Sequence, residues 1–210
     1  MDLVQLDRIA VLESVRLVEH AGPGDWDRPT PCDRWTLRLL VEHMGAQHIG
    51  FAAAARGEGA DPAAWEPRPA GDDPVTWYRG TAHALVDGFA RPGVLNGRFT
   101  LPEIDAETTF AATTAIGFHF IDYVVHSWDV AATLGVRTAL PPAVVDAALP
   151  LARRVPGGAR REQPGAAFRP ARDRGEGAGA DGSGTLGLIL TTLGRSPKWA
   201  PPLGGWPGSA

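Results

Sequence analysis

Four polar side chains interrupt an otherwise apolar stretch of the sequence, and their types and spacing suit metal chemistry. His119, Asp122, His126 and Asp129 follow one another at intervals of three, four and three residues. On an α-helix these intervals place them near one stripe, with Asp122 and His126 about 40° apart. Their neighbours are large and apolar, so the helix should be largely buried. A buried carboxylate without a partner is costly, and the stripe must therefore face water, a partner group or a metal ion.

A metal ion is the simplest explanation of this stripe. A carboxylate and an imidazole four residues apart on a helix can converge on one ion, as two histidines do in the zincins. Asp122 and His126 are predicted to be two of the ligands. His43, which lies among apolar residues of an earlier predicted helix, is predicted to be the third. Two histidines and one carboxylate leave positions open for water or substrate, which is typical of a catalytic metal site.

The other two residues of the stripe, Asp129 and His119, are predicted to orient a ligand through a hydrogen bond. The alternatives stay open at this point. Each histidine could be an ordinary core or surface residue, and Asp122 and His126 could simply bond to each other. Asp129 could accept a hydrogen bond from an indole or from the backbone.

The remaining histidines and the cysteine lack a comparable pattern. His20, His48 and His83 are predicted to lie at the surface or in loops. Cys32 is the only cysteine, which excludes an internal disulfide. No histidine or other base pairs with it in the sequence, and it is interpreted as a packing residue.

The elements that must position these residues are predicted to be helices. Thr36 is a suitable N-cap for the helix that carries His43, and Pro74 suits the first turn of the next helix. Four main helices with little strand signal indicate an all-α four-helix bundle with long connections. The predicted helices span about 3–20, 36–56, 74–90, 106–134, 141–154 and 185–194, and Phe99–Leu101 could be extended.

Composition excludes several classes of protein. The chain has 210 residues, 44% hydrophobic and 21% charged, which is ordinary for a globular domain. A net charge of −4 offers no basic surplus for nucleic acid or an anionic membrane. Neither a long apolar run nor a basic leader is present, so a cytoplasmic protein is expected.

Glycine and proline divide the chain unevenly. They number 26 and 19, and 20 of these 45 residues fall in the last 60 positions. We expect one domain over 1–210, with an Arg- and Gly-rich loop at 155–184, anchored by Phe168, and a C-terminal wrap at 185–210. Five arginines of the loop could hold an anionic ligand, or could simply be solvated: Arg160, Arg161, Arg169, Arg172 and Arg174.

Two helix motifs and a tail motif resemble the DinB-like metal-binding proteins. Residues 30–44 contain TPCDRWT and LLVEHM, similar to the TPC–W–LxxH opening of that family. Residues 121–131 read IDYVVHSWDVA, similar to its D-x3-H-x-WD-x-A helix, and 193–199 read LGRSPKW, similar to its tail. The branch that the chain resembles is the actinobacterial set related to the N-terminal domain of the mycothiol-dependent maleylpyruvate isomerase.

The resemblance implies a four-helix bundle that binds one divalent metal, with zinc expected and nickel as the alternative. The ligands carried over are His43, Asp122 and His126. It also implies mycothiol as a thiol cofactor and a small molecule as the substrate, with a homodimer left open. The leading hypothesis is a metal-dependent enzyme that uses a low-molecular-weight thiol for S-transfer to, or isomerisation of, a small electrophile. A metal-dependent hydrolase and a non-catalytic metal-binding protein are the alternatives.

Overall fold

The computed structural model describes residues 1–32, 35–163, 166–172 and 184–201, and these are mostly helical with one small sheet. Strands β1 (Arg98–Leu101) and β2 (Asp105–Ala111) form an antiparallel hairpin. Short 3-10 turns lie in three of the connections. The α-helices of the described residues are α1 (Leu3–Val18), α2 (Leu37–Ala55), α3 (Pro74–Phe89), α4 (Ala112–Leu134), α5 (Pro142–Arg154) and α6 (Thr185–Thr192).

Local signals set the ends of the helices that matter for the site. The Thr36 side chain accepts a hydrogen bond from the backbone N–H of Leu39 at 3.3 Å, which confirms it as the N-cap of α2. Pro74 occupies the first turn of α3, as predicted. Helix α4 ends at Gly135, whose φ of 68° is the left-handed conformation that glycine adopts without steric cost.

The predicted start of the fourth helix is wrong. Residues 106–111 continue strand β2 rather than α4, and the partner strand β1 contains the expected extended segment, Phe99–Leu101. Phe99 pairs with Phe110 across the hairpin. Consecutive threonines and a phenylalanine favour a strand, and pairing with β1 outweighs the helical continuation that was predicted from residue 106. The mostly helical class is confirmed, with this hairpin as an addition.

The first four helices enclose the core that holds the stripe. Helix α4 packs mainly against α1, and α2 packs mainly against α3, while α1 also contacts α3 and α2 also contacts α4. Helix α5 lies against α4, and α6 lies against α5. None of the helices in the described residues combines the length and apolar character that a membrane span needs.

A layer of polar groups crosses this core, and we call it the polar layer. Its hydrogen bonds join α1 to α4, α4 to α2, α2 to α3, and α3 to α1. Because a buried polar group without a partner is costly, these four bonds favour the arrangement in which all four helices are docked. The Nε2 atoms of His48 and His119 are also buried in this layer and have no hydrogen-bond partner among the described residues. The pairs are, in that order, Asp7 with His119 (2.7 Å), Tyr123 with the carbonyl of Met44, His48 with Thr81 (3.1 Å), and Tyr78 with Ser14 (2.6 Å).

Two buried side chains hold parts of the C-terminal segment in place. Phe168 is buried against the core, as expected for an anchor. Arg161 is also buried and donates to the backbone carbonyls of Val155, Pro156 and Thr192, so it fixes the chain rather than facing an anionic ligand. The rest of the predicted loop, at 173–183 and including Arg174, and the end of the wrap, 202–210, lie outside the described residues.

We expect Gly50→Ala to destabilise the protein. A Cβ at Gly50 would lie 2.3 Å from the indole of Trp65, which is buried and donates to the Gly59 carbonyl at 2.9 Å. The ring would have to move, at a cost of about 1–3 kcal/mol in the free energy of unfolding, measured by urea denaturation. Gly80 in α3 faces open space, and the control Gly80→Ala should stabilise by about 1 kcal/mol. Equal effects of the two substitutions would contradict this packing.

Candidate metal centre

The structure brings the three predicted ligands together. His43 lies on α2, Asp122 and His126 lie on α4, and one donor atom from each lies within 4.8 Å of the others. Asp122 Oδ1 is 3.4 Å from His126 Nε2. The rings of His43 and His126 meet edge to face, with centroids 5.7 Å apart. Two imidazoles and a carboxylate on two facing helices are a ligand set that zinc and nickel accept.

His43 is held in its neutral form. Burial, together with repulsion from His126, lowers its pKa to about 4, although Asp122 acts in the opposite direction. The indole of Trp35 packs against its ring with centroids 4.6 Å apart. Since only a neutral imidazole offers a lone pair to a metal, His43 is prepared to be a ligand at neutral pH.

His126 is oriented by Asp129. The Nδ1 atom of His126 donates to Asp129 Oδ2 at 3.0 Å, which leaves Nε2 on the side of Asp122. Burial opposes a charged ring, but the carboxylates of Asp122 and Asp129 outweigh it and raise the pKa of His126. A carboxylate behind a histidine is the arrangement that orients imidazole ligands in metal sites.

Asp129 is charged because Arg195 pairs with it. The Arg195 guanidinium donates to both carboxylate oxygens, with Nε at 2.9 Å from Oδ1 and Nη2 at 3.0 Å from Oδ2. Both residues are buried. Burial would raise the pKa of Asp129, but Arg195 and His126 outweigh it and lower this pKa. Sequence reasoning assigned Arg195 no role, and the tail motif LGRSPKW that contains it was the available signal.

His119 does not lie with the three ligands. Two helical turns, or about 10 Å, separate it from His126 along α4. Its Nδ1 donates to Asp7 of α1 at 2.7 Å, and its ring stacks on Tyr123 at 4.1 Å. This placement does not support the prediction that His119 orients a ligand. That prediction considered the angle of His119 around the helix axis but not its distance from His126 along the axis.

The prediction that His48 lies at the surface is wrong, whereas His20 and His83 are exposed as predicted. His48 is fully buried in the polar layer. It follows His43 by five residues, which turns it about 140° away from the ligand face of α2 and toward α3. Burial, then repulsion from His119, lowers the pKa of His48 well below its ordinary value.

Cys32 lies closer to this centre than its sequence position suggested. Its Sγ atom and one donor atom each from His126 and Asp129 lie within 4.8 Å of one another. The interpretation as a packing residue missed this contact, because the loop before α2 folds back toward α4 and no sequence spacing records that. Cys32 therefore lies at the edge of the candidate metal centre, close to His126 and Asp129.

Two exposed apolar side chains flank the centre. Leu39 precedes His43 by one turn and is 48% exposed, while Phe118 precedes Asp122 by one turn and is 37% exposed. Because residues four apart share a helix face, both lie on the faces that carry the ligands. The side chain of Asp122 is 21% exposed and that of His126 only 3%, so solvent reaches the centre from the side of Asp122.

The fold and the site together define a class of protein. It is a mostly helical chain in which two histidines and one aspartate cluster between two facing helices. The chain matches the model of the mycothiol maleylpyruvate isomerase N-terminal domain over residues 8–131. It is 31% identical over 152 residues to uncharacterized proteins from two strains of Mycobacterium tuberculosis, covering 70% of this chain and 72% of each relative. The chain belongs to the mycothiol maleylpyruvate isomerase N-terminal domain family, and the resemblance drawn from its motifs is confirmed.

Two solved structures share the fold. The crystal structure of the mycothiol-dependent maleylpyruvate isomerase superposes with a TM-score of 0.54 at 15% identity, covering 71% of this chain and 68% of that one. A mutant of the same enzyme, with a histidine replaced by alanine, gives a TM-score of 0.52 at 14% identity with the same coverage. At these identities the likeness concerns the fold alone.

We expect Arg195→Met to be strongly destabilising, because it removes the guanidinium that pairs with the buried charge of Asp129 and leaves His126 to balance that charge. The loss should be about 3–5 kcal/mol in the free energy of unfolding. The matched control is Arg79→Met, which removes an ion pair with Glu19 in which both side chains are about 40% exposed. It should cost less than about 1 kcal/mol.

The same pair predicts a pH dependence. The folded protein holds the pKa of Asp129 below its unfolded value of about 3.9. Its contribution to stability is therefore complete above that value and is lost as the pH falls through the lowered pKa. The stability gap between wild type and Arg195→Met should narrow in acid. Urea denaturation across a pH series checks this, and a gap that widens in acid would show that the charge of Asp129 is not the cause.

Proposed function

We propose that His43, Asp122 and His126 hold one divalent metal ion, zinc first and nickel as the alternative. We further propose that the chain uses a low-molecular-weight thiol of the mycothiol type for S-transfer to, or isomerisation of, a small electrophilic molecule. The observation that supports this most is the convergence of the three donor atoms within 4.8 Å in a member of this family. The proposal includes a four-helix bundle of the DinB-like type, formed by α1 to α4 within one domain.

The donor set fits the metal. His43 is neutral, His126 is turned by Asp129 so that Nε2 is on the side of Asp122, and the carboxylate of Asp122 is partly open to solvent. Three protein ligands leave room for an exogenous group, as catalytic zinc sites require. When bound, the ion would supply the positive charge that keeps a thiol in its thiolate form near neutral pH.

The chain's own residues prepare this chemistry. Asp129 holds the Nδ1 proton of His126 and fixes the ring, and Arg195 keeps Asp129 charged. Trp35 restrains the ring of His43. These contacts hold the ligands in place before any metal arrives, so little reorganisation is needed when the thiol and its electrophile approach.

The exposed rim suits an electrophile that has an apolar part. Leu39 and Phe118 flank the side from which solvent reaches Asp122. Apolar walls with a few convergent polar groups are typical of small-molecule sites. The thiol and the electrophile would enter between these two side chains.

The ligand assignment predicts one zinc ion per chain. His43→Ala and His126→Ala should each weaken zinc binding by more than about 100-fold, because each removes a donor from a three-ligand site. Titration calorimetry with Zn²⁺, together with the metal content of the purified protein, measures this. His83→Ala is the control, since His83 is exposed and should bind zinc as the wild type does. Full zinc binding by His126→Ala would show that the ligand assignment is wrong.

The proposed reaction predicts an absolute dependence on the thiol. Zinc-loaded protein should convert maleylpyruvate or another small electrophile only when mycothiol is added, and His126→Ala should not. Product formation followed by chromatography, with and without the thiol, measures this. Hydrolysis of the substrate without any thiol would favour a metal-dependent hydrolase. Zinc binding without any conversion across a panel of electrophiles would favour a non-catalytic metal-binding protein.

A further inference from the structure

One hydrogen bond of the polar layer lies directly beside the candidate metal centre. The hydroxyl of Tyr123 donates to the backbone carbonyl of Met44. Tyr123 follows Asp122 on α4, and Met44 follows His43 on α2. The bond therefore joins the chain neighbours of two proposed ligands, and it spans the two helices that must approach each other for the ligands to meet.

The approach of these two helices depends on few polar contacts. Helix α4 packs mainly against α1, and α2 packs mainly against α3. Within the part of the chain that the structure describes, the bond from Tyr123 is the only hydrogen bond between a side chain of α4 and α2. A backbone carbonyl has two lone pairs, so Met44 can accept it without losing a bond inside the helix.

The ring of Tyr123 packs against two histidine rings that also contact each other, with centroids 5.7 Å apart. It is fully buried and stacks on His48 at 4.5 Å and on His119 at 4.1 Å. Thr81 of α3 holds His48, and Asp7 of α1 holds His119. These contacts and the burial of the ring restrain its rotation, and with it the position of its hydroxyl relative to the carbonyl of Met44.

We propose that Tyr123 is a positioning residue for the metal centre, because its hydroxyl sets the spacing of α2 and α4 at the height of the ligands. This inference rests on the proposed function, since it requires that His43 and Asp122 share one ion. A loss of this spacing separates His43 from the two ligands on α4 without removing any ligand. Errors of a fraction of an ångström in ligand position weaken a metal site.

The test compares two isosteric substitutions in the full chain. Tyr123→Phe removes the hydroxyl beside the ligands. The control, Tyr78→Phe, removes an equally buried hydroxyl that bonds to Ser14 and joins α3 to α1, and neither of these residues is a chain neighbour of a proposed ligand. Each variant is titrated with Zn²⁺ against a competing chelator, and its unfolding in urea is measured separately. Both variants should lose similar stability, because each loses one buried hydrogen bond.

The two variants should differ in their affinity for Zn²⁺. The Zn²⁺ dissociation constant of Tyr123→Phe should rise about tenfold, and that of Tyr78→Phe should stay at the wild-type value. Equal zinc affinities in all three proteins would overturn the positioning role while leaving the proposed function in place. Equal losses of zinc affinity in the two variants would do the same. A wild type that binds no Zn²⁺ would overturn both.

A second substitution keeps the test decisive if Tyr123→Phe does not fold. Incorporation of 4-fluorophenylalanine at position 123 fills the volume of the hydroxyl but cannot donate, whereas 4-aminophenylalanine can. The amino analogue should restore zinc affinity and the fluoro analogue should not. Equal affinity of the two would show that ring packing, rather than the donated hydrogen bond, positions the ligands.

Discussion

The buried charge of Asp129 is the constraint on which much of this structure depends. A carboxylate with no exposed surface is stable only when it is fully paired. Arg195 pairs with it from the C-terminal segment, and His126 donates to it from the same helix. Arg195 thereby connects the C-terminal segment to α4. The orientation of His126 depends on this segment through Asp129. The described residues around Arg195 are therefore held against α4 by this pair.

The polar layer imposes a second constraint of the same kind. Each of the first four helices contributes to it, and each bond leaves a costly buried group if its partner helix is misplaced. An apolar core tolerates sliding between helices more readily than a ring of directional bonds does. The layer runs beside the candidate metal centre at Tyr123, so the bonds that specify the packing also fix the distance between the faces that carry His43 and Asp122.

Sequence patterns predicted the elements best where the signal is local. The cap at Thr36, the proline at the start of α3 and the end of the fourth helix at residue 134 depend on neighbouring residues, and the structure has them as predicted. Residues 106–111 were predicted wrongly, because their conformation depends on pairing with β1 rather than on their own propensities. His48 was misplaced for a related reason. Its burial follows from the packing of α2 on α3, which no single-helix pattern contains.

The sequence by itself determined the mostly helical class, the family, and the pairing of Asp122 with His126 on one face, because helical geometry fixes neighbours four residues apart. Only the tertiary structure decided which helix faces meet. In the folded chain His43 lies beside α4, and His119 bonds to Asp7. Arg195 and Cys32 lie beside Asp129. These contacts join residues far apart in the chain, and they arise from the burial of apolar faces and the satisfaction of buried charges over the whole fold.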